Sequence, residues 1–238
     1  MIKFFRRIRQ NLLSENKFSK YLIYAIGEII LVVIGILIAL QINTWNEEKK
    51  SNKKELYFLN GIKNDLVIDT TALSALKRGC QLRLSSYKLI DPEFEINEFQ
   101  QTEIDTSFNF RRLFNRVGSF RPTIGIYDAM ISDGQSQIIK NRTLFNRIQS
   151  IYQDGVPKLE SLYDDLKQNE VNIKFKWAET IRYVPFKSYN EISDRALVSD
   201  LYITHGKMRW YCERCQVHKE QIRQVILELD KEIEANRE

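Results

Sequence analysis

The sequence is poor in the residues that make tight turns and histidine-based active sites. It has two histidines, three cysteines, nine glycines and four prolines in 238 residues. Two histidines leave little for a catalytic triad, and no Gly-rich phosphate loop, Gly-x-Ser-x-Gly or His-Glu-x-x-His motif is present. Residues 43–238 hold seven of the glycines and all four prolines, too few for an all-β domain. We therefore expect a mainly α-helical protein that is not an enzyme and binds no cofactor.

One long apolar run stands out against a polar sequence. Residues 22–42 read LIYAIGEIILVVIGILIALQI, and a helix needs roughly 20 such residues to cross a bilayer core. The run exceeds the apolar core of a cleavable signal peptide, and no small-x-small cleavage pattern follows it. We predict an uncleaved signal anchor, with a basic cytoplasmic tail at 1–20, a transmembrane helix at 21–43 and an α-helical extramembrane domain at 44–238.

The distribution of Lys and Arg predicts which way the transmembrane helix faces. Residues 1–20 contain six Lys or Arg and one acid, whereas residues 46–54 contain four Lys and two Glu. Because positive charge favours the cytoplasmic side, we expect a cytoplasmic N-terminus and a domain outside the cytoplasm. The tail either lies on the membrane as an amphipathic helix or only sets the topology as a basic segment without structure.

The remaining charge argues against nucleic acid as a partner. The chain has 36 Lys and Arg against 31 Asp and Glu, and 30 against 29 remain when the six bases of the tail, Glu15 and Glu28 are set aside. A nearly neutral domain lacks the basic face that binds a nucleic acid backbone. The basic tail suits anionic headgroups, so the lipid bilayer is the first partner that the sequence predicts.

Inside the apolar run, an acid and several small residues share one face of the helix. Ala25, Glu28, Val32, Gly35 and Ala39 are spaced by three and four residues, a pattern typical of helix–helix contacts in membranes. One hypothesis is that this stripe binds a second copy, or another membrane protein, through Glu28. The alternative is that Glu28, about 9 Å from the start of the run, only reaches towards the headgroups.

The domain carries two long helical seams. Apolar residues step by three and four from Leu59 to Tyr87, interrupted by Asp69, and again from Met208 to Leu229 within a helix predicted at 194–234. Such narrow seams are typical of coiled coils and helical hairpins. We therefore predict a bundle in which the long first and last helices pack together.

Residues typical of helix ends mark shorter helices between the two long ones. Pro122 suits the first turn of a helix that stops before Gly134. Asn141 can cap the next helix, which we expect to end near residue 169. The sequence Asp-Gly-Val-Pro at 154–157 is expected to break or kink that helix.

The last helix also carries potential metal ligands: His205, Cys212, Cys215 and His218, with Cys80 on the first seam. Zinc needs four converging ligands, and one helix can aim only residues three or four apart at one ion. Redox-active Cys-x-x-Cys pairs begin at a helix N-terminus, whereas this pair lies mid-helix. We therefore favour structural cysteines over metal or redox chemistry, and predict no metal site and no catalytic residue.

Outside the cytoplasm, the cysteines could also form a disulfide. Cys80 paired with either Cys212 or Cys215 would close a loop of over 130 residues, which stabilises the fold by roughly 5 kcal/mol at most. Because there are three cysteines, one thiol stays free or pairs between chains.

A family resemblance is carried by the first fifty residues, MIKFFRRIRQNLLSENKFSKYLIYAIGEIILVVIGILIALQINTWNEEKK. They resemble the start of an uncharacterised family of bacterial single-pass membrane proteins found mainly in the Bacteroidota, domain-of-unknown-function family 6090. Weaker similarity extends to Tyr127, the turn at 132–134 and Asn141, whereas the Cys-x-x-Cys at 212–215 lies outside that pattern. The resemblance implies a bacterial source and a membrane location, and it transfers no catalytic residue.

These observations lead to one functional hypothesis and two alternatives. We expect a single-pass inner-membrane protein with a periplasmic helical domain that acts by binding, as a scaffold or sensory module. The first alternative is a membrane-tethered redox or metal-binding component that uses Cys212 and Cys215. The second is a domain tethered on the cytoplasmic side of the membrane.

Overall fold

The structure is a computed structural model, and it describes residues 18–87, 113, 117–179 and 195–237. Within these ranges the chain is largely helical and contains no strand, which confirms the predicted mainly α class. The chain divides into two compact units, residues 1–54 and 55–238. Of the predicted tail at 1–20, residues 1–17 lie outside the described residues, and residues 18–20 belong to the first helix.

Five α-helices follow one another in the described part of the chain, with two short turns of other helical types. A 3-10 turn at Ser136–Ile138 follows the second helix, and a π-helical turn at Ile151–Gly155 joins the third helix to the fourth. The α-helices are α1 (Phe18–Tyr87), α2 (Gly125–Ser132), α3 (Arg142–Ser150), α4 (Val156–Lys176) and α5 (Arg195–Ala235).

The N-terminal unit contributes the first part of α1, and this part is apolar on all sides. Large side chains from Leu22 to Ile42 are about half exposed or more, for example 71 % at Leu31 and 46 % at Val33. The most apolar window of the helix has a mean hydropathy of 2.6, and none of it is buried. In the described residues this is the one helix long and apolar enough to cross a membrane.

The second unit is a bundle of three long helical segments: α1 from Glu55 onward, α3 with α4, and α5. Ion pairs tie α5 to each of the others, with Lys63 Nζ 2.5 Å from Asp230 Oδ1, and with Arg147 bonded to Glu228. Towards the other end of α5, Lys207 pairs with Asp165 of α4. The residue numbers of the paired side chains rise along α5 in the direction in which they fall along the other segments. Helix α5 therefore runs antiparallel to the other segments.

The predicted seams form the core of this bundle. On α1, Leu59, Ile62 and Leu66 are fully buried. On α5, the predicted stripe from Met208 to Leu229 is buried at each of its positions. The first and last helices therefore pack together as predicted, because each presents a narrow apolar face that must be covered. The positions of the predicted stripe are Met208, Tyr211, Cys215, His218, Ile222, Val225 and Leu229.

Three local predictions are confirmed. Asn141 caps α3, because its Oδ1 accepts the Leu144 amide at 3.1 Å. Gly134 has a φ of +67°, the left-handed conformation that glycine adopts at helix ends. The predicted break at 154–157 is the π-helical turn that ends at Gly155.

Two boundaries were wrong. The second helix begins at Gly125 and not at Pro122, because the preceding segment is held against α1, where Asp69 Oδ1 accepts the Thr123 amide at 2.8 Å. Helix α4 ends at Lys176 and not near residue 169. The helix continues for about two turns past residue 169, because Ile173 is buried and Lys176 pairs with Asp200 of α5 at 2.7 Å.

Candidate functional site

The inner face of α5 carries the chemically distinctive side chains of the bundle. His205, Cys212, Cys215 and His218 all lie on this helix and are all buried. Cys80 faces them from α1 and is 3 % exposed. This group, which we call the cysteine–histidine face, is the candidate site.

The structure pairs Cys80 with Cys212 in a disulfide. The two Cα atoms are 6.0 Å apart, and the bond joins residues 132 positions apart in the sequence. It therefore links the second half of α1 to the middle of α5, the two helices that the seams bring together. Of the two partners that the sequence left open for Cys80, the structure uses Cys212.

The second cysteine of the Cys-x-x-Cys sequence is a free thiol in the core. Cys215 is 1 % exposed, and burial raises the pKa of its thiol to about 12. A thiol with such a pKa is protonated at neutral pH and is a poor nucleophile and a poor metal ligand. Because Cys212 is bonded to Cys80, the geometry does not present Cys212 and Cys215 as a dithiol pair.

Both histidines are neutral parts of the core. Burial lowers the pKa of His205 and of His218 to about 4. The His205 ring lies edge-on to Tyr87, with centroids 5.1 Å apart, and the His218 ring lies edge-on to Phe120 at 5.7 Å. Thirteen residues of helix separate the two histidines by about 20 Å, too far to share one ion. Across the described ranges, no cluster of three His, Cys, Asp or Glu residues could hold a metal ion.

The packing of the His218 ring against the π-helical turn requires the glycine at position 155. A Cβ atom at Gly155 would lie 2.5 Å from His218 Nδ1, well inside van der Waals contact. Only glycine therefore lets the turn approach α5 this closely. Single π-helical turns inserted in α-helices are frequent at functional sites, and here the turn makes room for a buried imidazole.

A tyrosine next to the disulfide fixes the chain that leads into α2. The Tyr211 hydroxyl donates to the Gly118 carbonyl at 3.2 Å and accepts the Phe120 amide at 3.0 Å. Both are backbone groups outside regular structure, and the amide of the buried Phe120 would otherwise have no partner. Tyr211 thus anchors the segment that carries Phe120 against His218.

Acidic side chains on α1 bond backbone amides before α2, at its start and after it. Sequence reasoning missed these acids. Glu55 Oε1 accepts the Lys140 amide at 2.8 Å, and Asp65 Oδ2 accepts the Ile126 amide at 3.3 Å. With Asp69, they form a row of acids along one side of α1 that bonds backbone N–H groups. Glu55 and Asp69 are 0 % and 1 % exposed, although the sequence shows Asp69 only as an interruption of an apolar seam. The row is structural, because each acid supplies a backbone amide with an acceptor.

A group of buried polar side chains lies where the C-terminal end of α1 packs against α4. Arg83 Nη2 lies 2.5 Å from Glu170 Oε1, and these side chains are 2 % and 12 % exposed. Next to Glu170 on α4, Asn169 Nδ2 donates to Thr204 Oγ1 of α5 at 2.8 Å. Glu170 also lines a surface groove of about 220 Å³, whose other lining residues are Val117, Tyr163, Leu166, Lys167, Val171 and Lys174.

The predicted contact residues of the apolar run all lie on α1. Glu28, Val32 and Ala39 are exposed, and Ala25 is half-buried. Gly35 has no atom within 4 Å of the position that a Cβ would take. This arrangement leaves the small-residue stripe accessible, and its role in helix–helix contact stays a prediction.

Comparisons with known proteins place the chain in a family without adding a chemical role for any of these residues. No curated protein and no solved structure matches it. One family model matches residues 28–204, that is 177 of the 238 residues, from the apolar run to the first part of α5. The chain therefore belongs to the family of unknown function DUF6090.

Proposed function

We propose that this protein is a single-pass membrane protein whose helical domain, residues 55–238, acts by binding, as a scaffold or sensory module. The observation that carries the proposal is the apolar first part of α1. In the part of the chain that the structure describes, its large side chains are exposed from Leu22 to Ile42. Burial in a bilayer removes this surface from water, and 21 residues at 1.5 Å each match a core of about 30 Å.

Two observations support a location of the domain outside the cytoplasm. The six Lys and Arg of residues 1–20 favour a cytoplasmic N-terminus. The cysteine arrangement agrees with this, because a pair of buried cysteines with Cα atoms 6.0 Å apart forms a lasting disulfide in oxidising compartments and stays reduced in the cytoplasm. In a bacterial cell, this orientation puts the domain in the periplasm and the anchor in the inner membrane.

A binding role is supported by where the reactive side chains are found. The two histidines and the free thiol of Cys215 are buried in the core and neutral at pH 7. Their burial makes them parts of the fold, whereas α5 exposes large apolar side chains such as Trp210 at 54 %. Tryptophan is enriched among the residues that carry most of the binding energy at protein interfaces.

Topology reporters test this proposal. A periplasm-active and a cytoplasm-active reporter are fused in turn after Glu238 of the full chain. We expect activity of the periplasmic reporter only. The matched control carries Ile34→Arg and Leu37→Arg, which add about 5–7 kcal/mol to the insertion free energy and should abolish the periplasmic signal. Activity of the cytoplasmic reporter on the unaltered chain would contradict the proposed orientation, and recovery of that chain in the soluble fraction would contradict the anchor.

A further inference from the structure

The stretch of α1 that follows the apolar run carries a dense group of lysines. Residues 45–54 read WNEEKKSNKK. Four lysines against two glutamates leave this stretch with a net charge of +2. At 100° per residue the lysines cover about 140° of the helix circumference, so they form one positive face. We call this group the lysine cluster; its members, all exposed, are Lys49, Lys50, Lys53 and Lys54.

The side chains of the lysine cluster point back towards the apolar run. Lys49 Nζ lies 5.3 Å from the centre of the Trp45 ring, and Lys50 Nζ lies 3.1 Å from Glu47 Oε1. Both contacts reach back about one helical turn, roughly 5 Å. Side chains of a helix tilt towards its N-terminus, and in α1 this direction leads to the apolar run. The ammonium groups are therefore directed towards the membrane surface.

The lysine cluster lies at the height of the lipid headgroups when the apolar run crosses a bilayer. Trp45, 63 % exposed, follows Ile42 by three residues, the level at which aromatic residues mark a membrane interface. A reach back of one turn puts the Lys49 ammonium about 5 Å beyond Ile42, inside a headgroup layer that is about 5–8 Å thick. The Lys53 ammonium lies about 11 Å beyond Ile42, within one Debye length, about 8 Å, of that layer.

Part of this positive charge is left over for a partner outside the chain. Glu47 pairs with Lys50, whereas Lys53 and Lys54 make no ion pair with the residues that the structure describes. At the membrane surface the nearest negative groups are lipid phosphates. An anionic lipid carries net negative charge that a zwitterionic lipid lacks, so an uncompensated basic segment beside the bilayer favours the anionic lipid.

We propose that the lysine cluster binds anionic lipids in the leaflet opposite the basic tail. Two observations carry the proposal: the net positive charge complements an anionic headgroup, and the cluster continues directly from the lipid-facing surface of the apolar run. The step rests on the proposed function, because only an apolar run that crosses the bilayer brings the cluster to its surface. It requires the membrane anchor and is independent of which side the domain faces.

The experiment measures which lipids lie beside Trp45 of the full chain in vesicles. Trp177→Phe and Trp210→Phe leave Trp45 as the only tryptophan. The vesicles contain phosphatidylcholine and phosphatidylglycerol, and one of the two carries bromine near the headgroup end of an acyl chain. Bromine quenches tryptophan fluorescence at short range, so the quenching reports the lipids of this leaflet alone. We expect a preference for phosphatidylglycerol of about 5-fold or more, the factor for one lysine beside an anionic surface.

Replacement of the lysines by glutamine separates the lysine cluster from the anchor. Glutamine at all four positions should lower the preference to about 1 or below, and Lys53→Gln with Lys54→Gln should lower it in part. Glutamine and lysine have similar helix propensity, so the helix is retained. In the unaltered cluster, 1 M salt should also remove the preference, because the Debye length falls to about 3 Å.

The matched control removes two lysines from the helical bundle. Lys158 of α4 and Lys231 of α5 are both exposed. Lys158→Gln with Lys231→Gln takes away as much charge as the pair at 53 and 54, and it should leave the lipid preference at Trp45 unchanged.

Three outcomes would overturn the inference. The first is equal quenching by the two brominated lipids when all four lysines are present. The second is a preference that persists after all four are replaced, and the third is an equal loss of preference in the control pair. Each of these leaves the anchor intact, because Trp45 is still quenched by lipid. Absence of quenching by either lipid would contradict the anchor itself, so the failure of the proposed function is distinguishable from the failure of this proposal.

Discussion

Two stretches of the same helix, residues 22–42 and residues 59–87 of α1, contain many apolar residues but differ in how these are arranged. In the first, apolar residues surround the helix, and Leu31 and Ile36 are 71 % and 54 % exposed. In the second, they form a narrow seam, and Leu59 and Leu84 are fully buried. A helix that is apolar all round suits lipid, whereas a helix with one apolar face needs protein against it. The difference shows that pattern, more than apolar content, tells which surroundings a helix requires.

The largest expected effects come from an arginine placed in each stretch. Leu66→Arg puts a charge into the core of the bundle, where an unpaired charge costs several kcal/mol, comparable with the stability of a whole domain. We expect the bundle to unfold while the chain remains in the membrane fraction. Ile34→Arg should add about 3 kcal/mol to the insertion free energy and leave the bundle intact.

Membrane fractionation and thermal unfolding by circular dichroism, applied to both variants, check this pair. The comparison between the two stretches fails if Ile34→Arg lowers the unfolding temperature of the bundle as much as Leu66→Arg does. It also fails if Leu66→Arg releases the chain from the membrane.

Reduction of the disulfide is expected to have the next largest effect, and only on the bundle. Opening the bond between Cys80 and Cys212, 132 residues apart, should lower the free energy of unfolding by about 2–5 kcal/mol. Denaturant titrations with and without reductant measure the difference. Cys80→Ser should reproduce it, and reductant should then have no further effect. Cys215→Ala is the control, because it should keep the full response to reductant.

Acid should also destabilise the bundle and leave the apolar stretch unaffected. The unfolded chain protonates its histidines near pH 6.5, whereas His205 and His218 protonate in the fold only near pH 4. Their contribution to stability is therefore full above pH 6.5 and is lost as the pH falls towards 4. The slope is up to about 1.4 kcal/mol per pH unit for each histidine. Asp69 acts in the opposite sense, because burial raises the pKa of its carboxyl group.

Urea titrations between pH 7 and 4 test this dependence. His218→Gln should remove about half of the slope, since one of the two buried imidazoles is then absent. A slope that is the same in wild type and in His218→Gln would contradict the assignment to these histidines.

The smallest expected effects distinguish closed from open faces of the bundle. Gly155→Ala should cost about 1–3 kcal/mol, because the new methyl group meets the His218 ring. Gly206→Ala should add up to about 1 kcal/mol, because the position is helical and open. Thermal unfolding of the two variants gives the signs. Equal shifts in the same direction would show that Gly155 is not required by the packing of His218.

The features that could be predicted from the sequence are those set by neighbours along the chain. Asn141 caps a helix by accepting a hydrogen bond from the amide three residues further along the chain. The apolar seams follow from the spacing of the apolar residues alone. The acids of α1 could not be found in this way, because Asp69 bonds an amide 54 residues away and Glu55 one 85 residues away. The pairing of Cys80 with Cys212, and not with Cys215, could not be predicted either. It depends on how two helices that are distant in sequence are rotated against each other.

The most direct test of the account is the state of the three cysteines in intact cells. Free thiols are trapped with an alkylating reagent before lysis, and the digested full chain is mapped by mass spectrometry. The account predicts a peptide pair joined through Cys80 and Cys212, with Cys215 alkylated only after unfolding. Alkylation of all three thiols in the unfolded chain, without prior reduction, would contradict both the disulfide and the oxidising location of the helical domain.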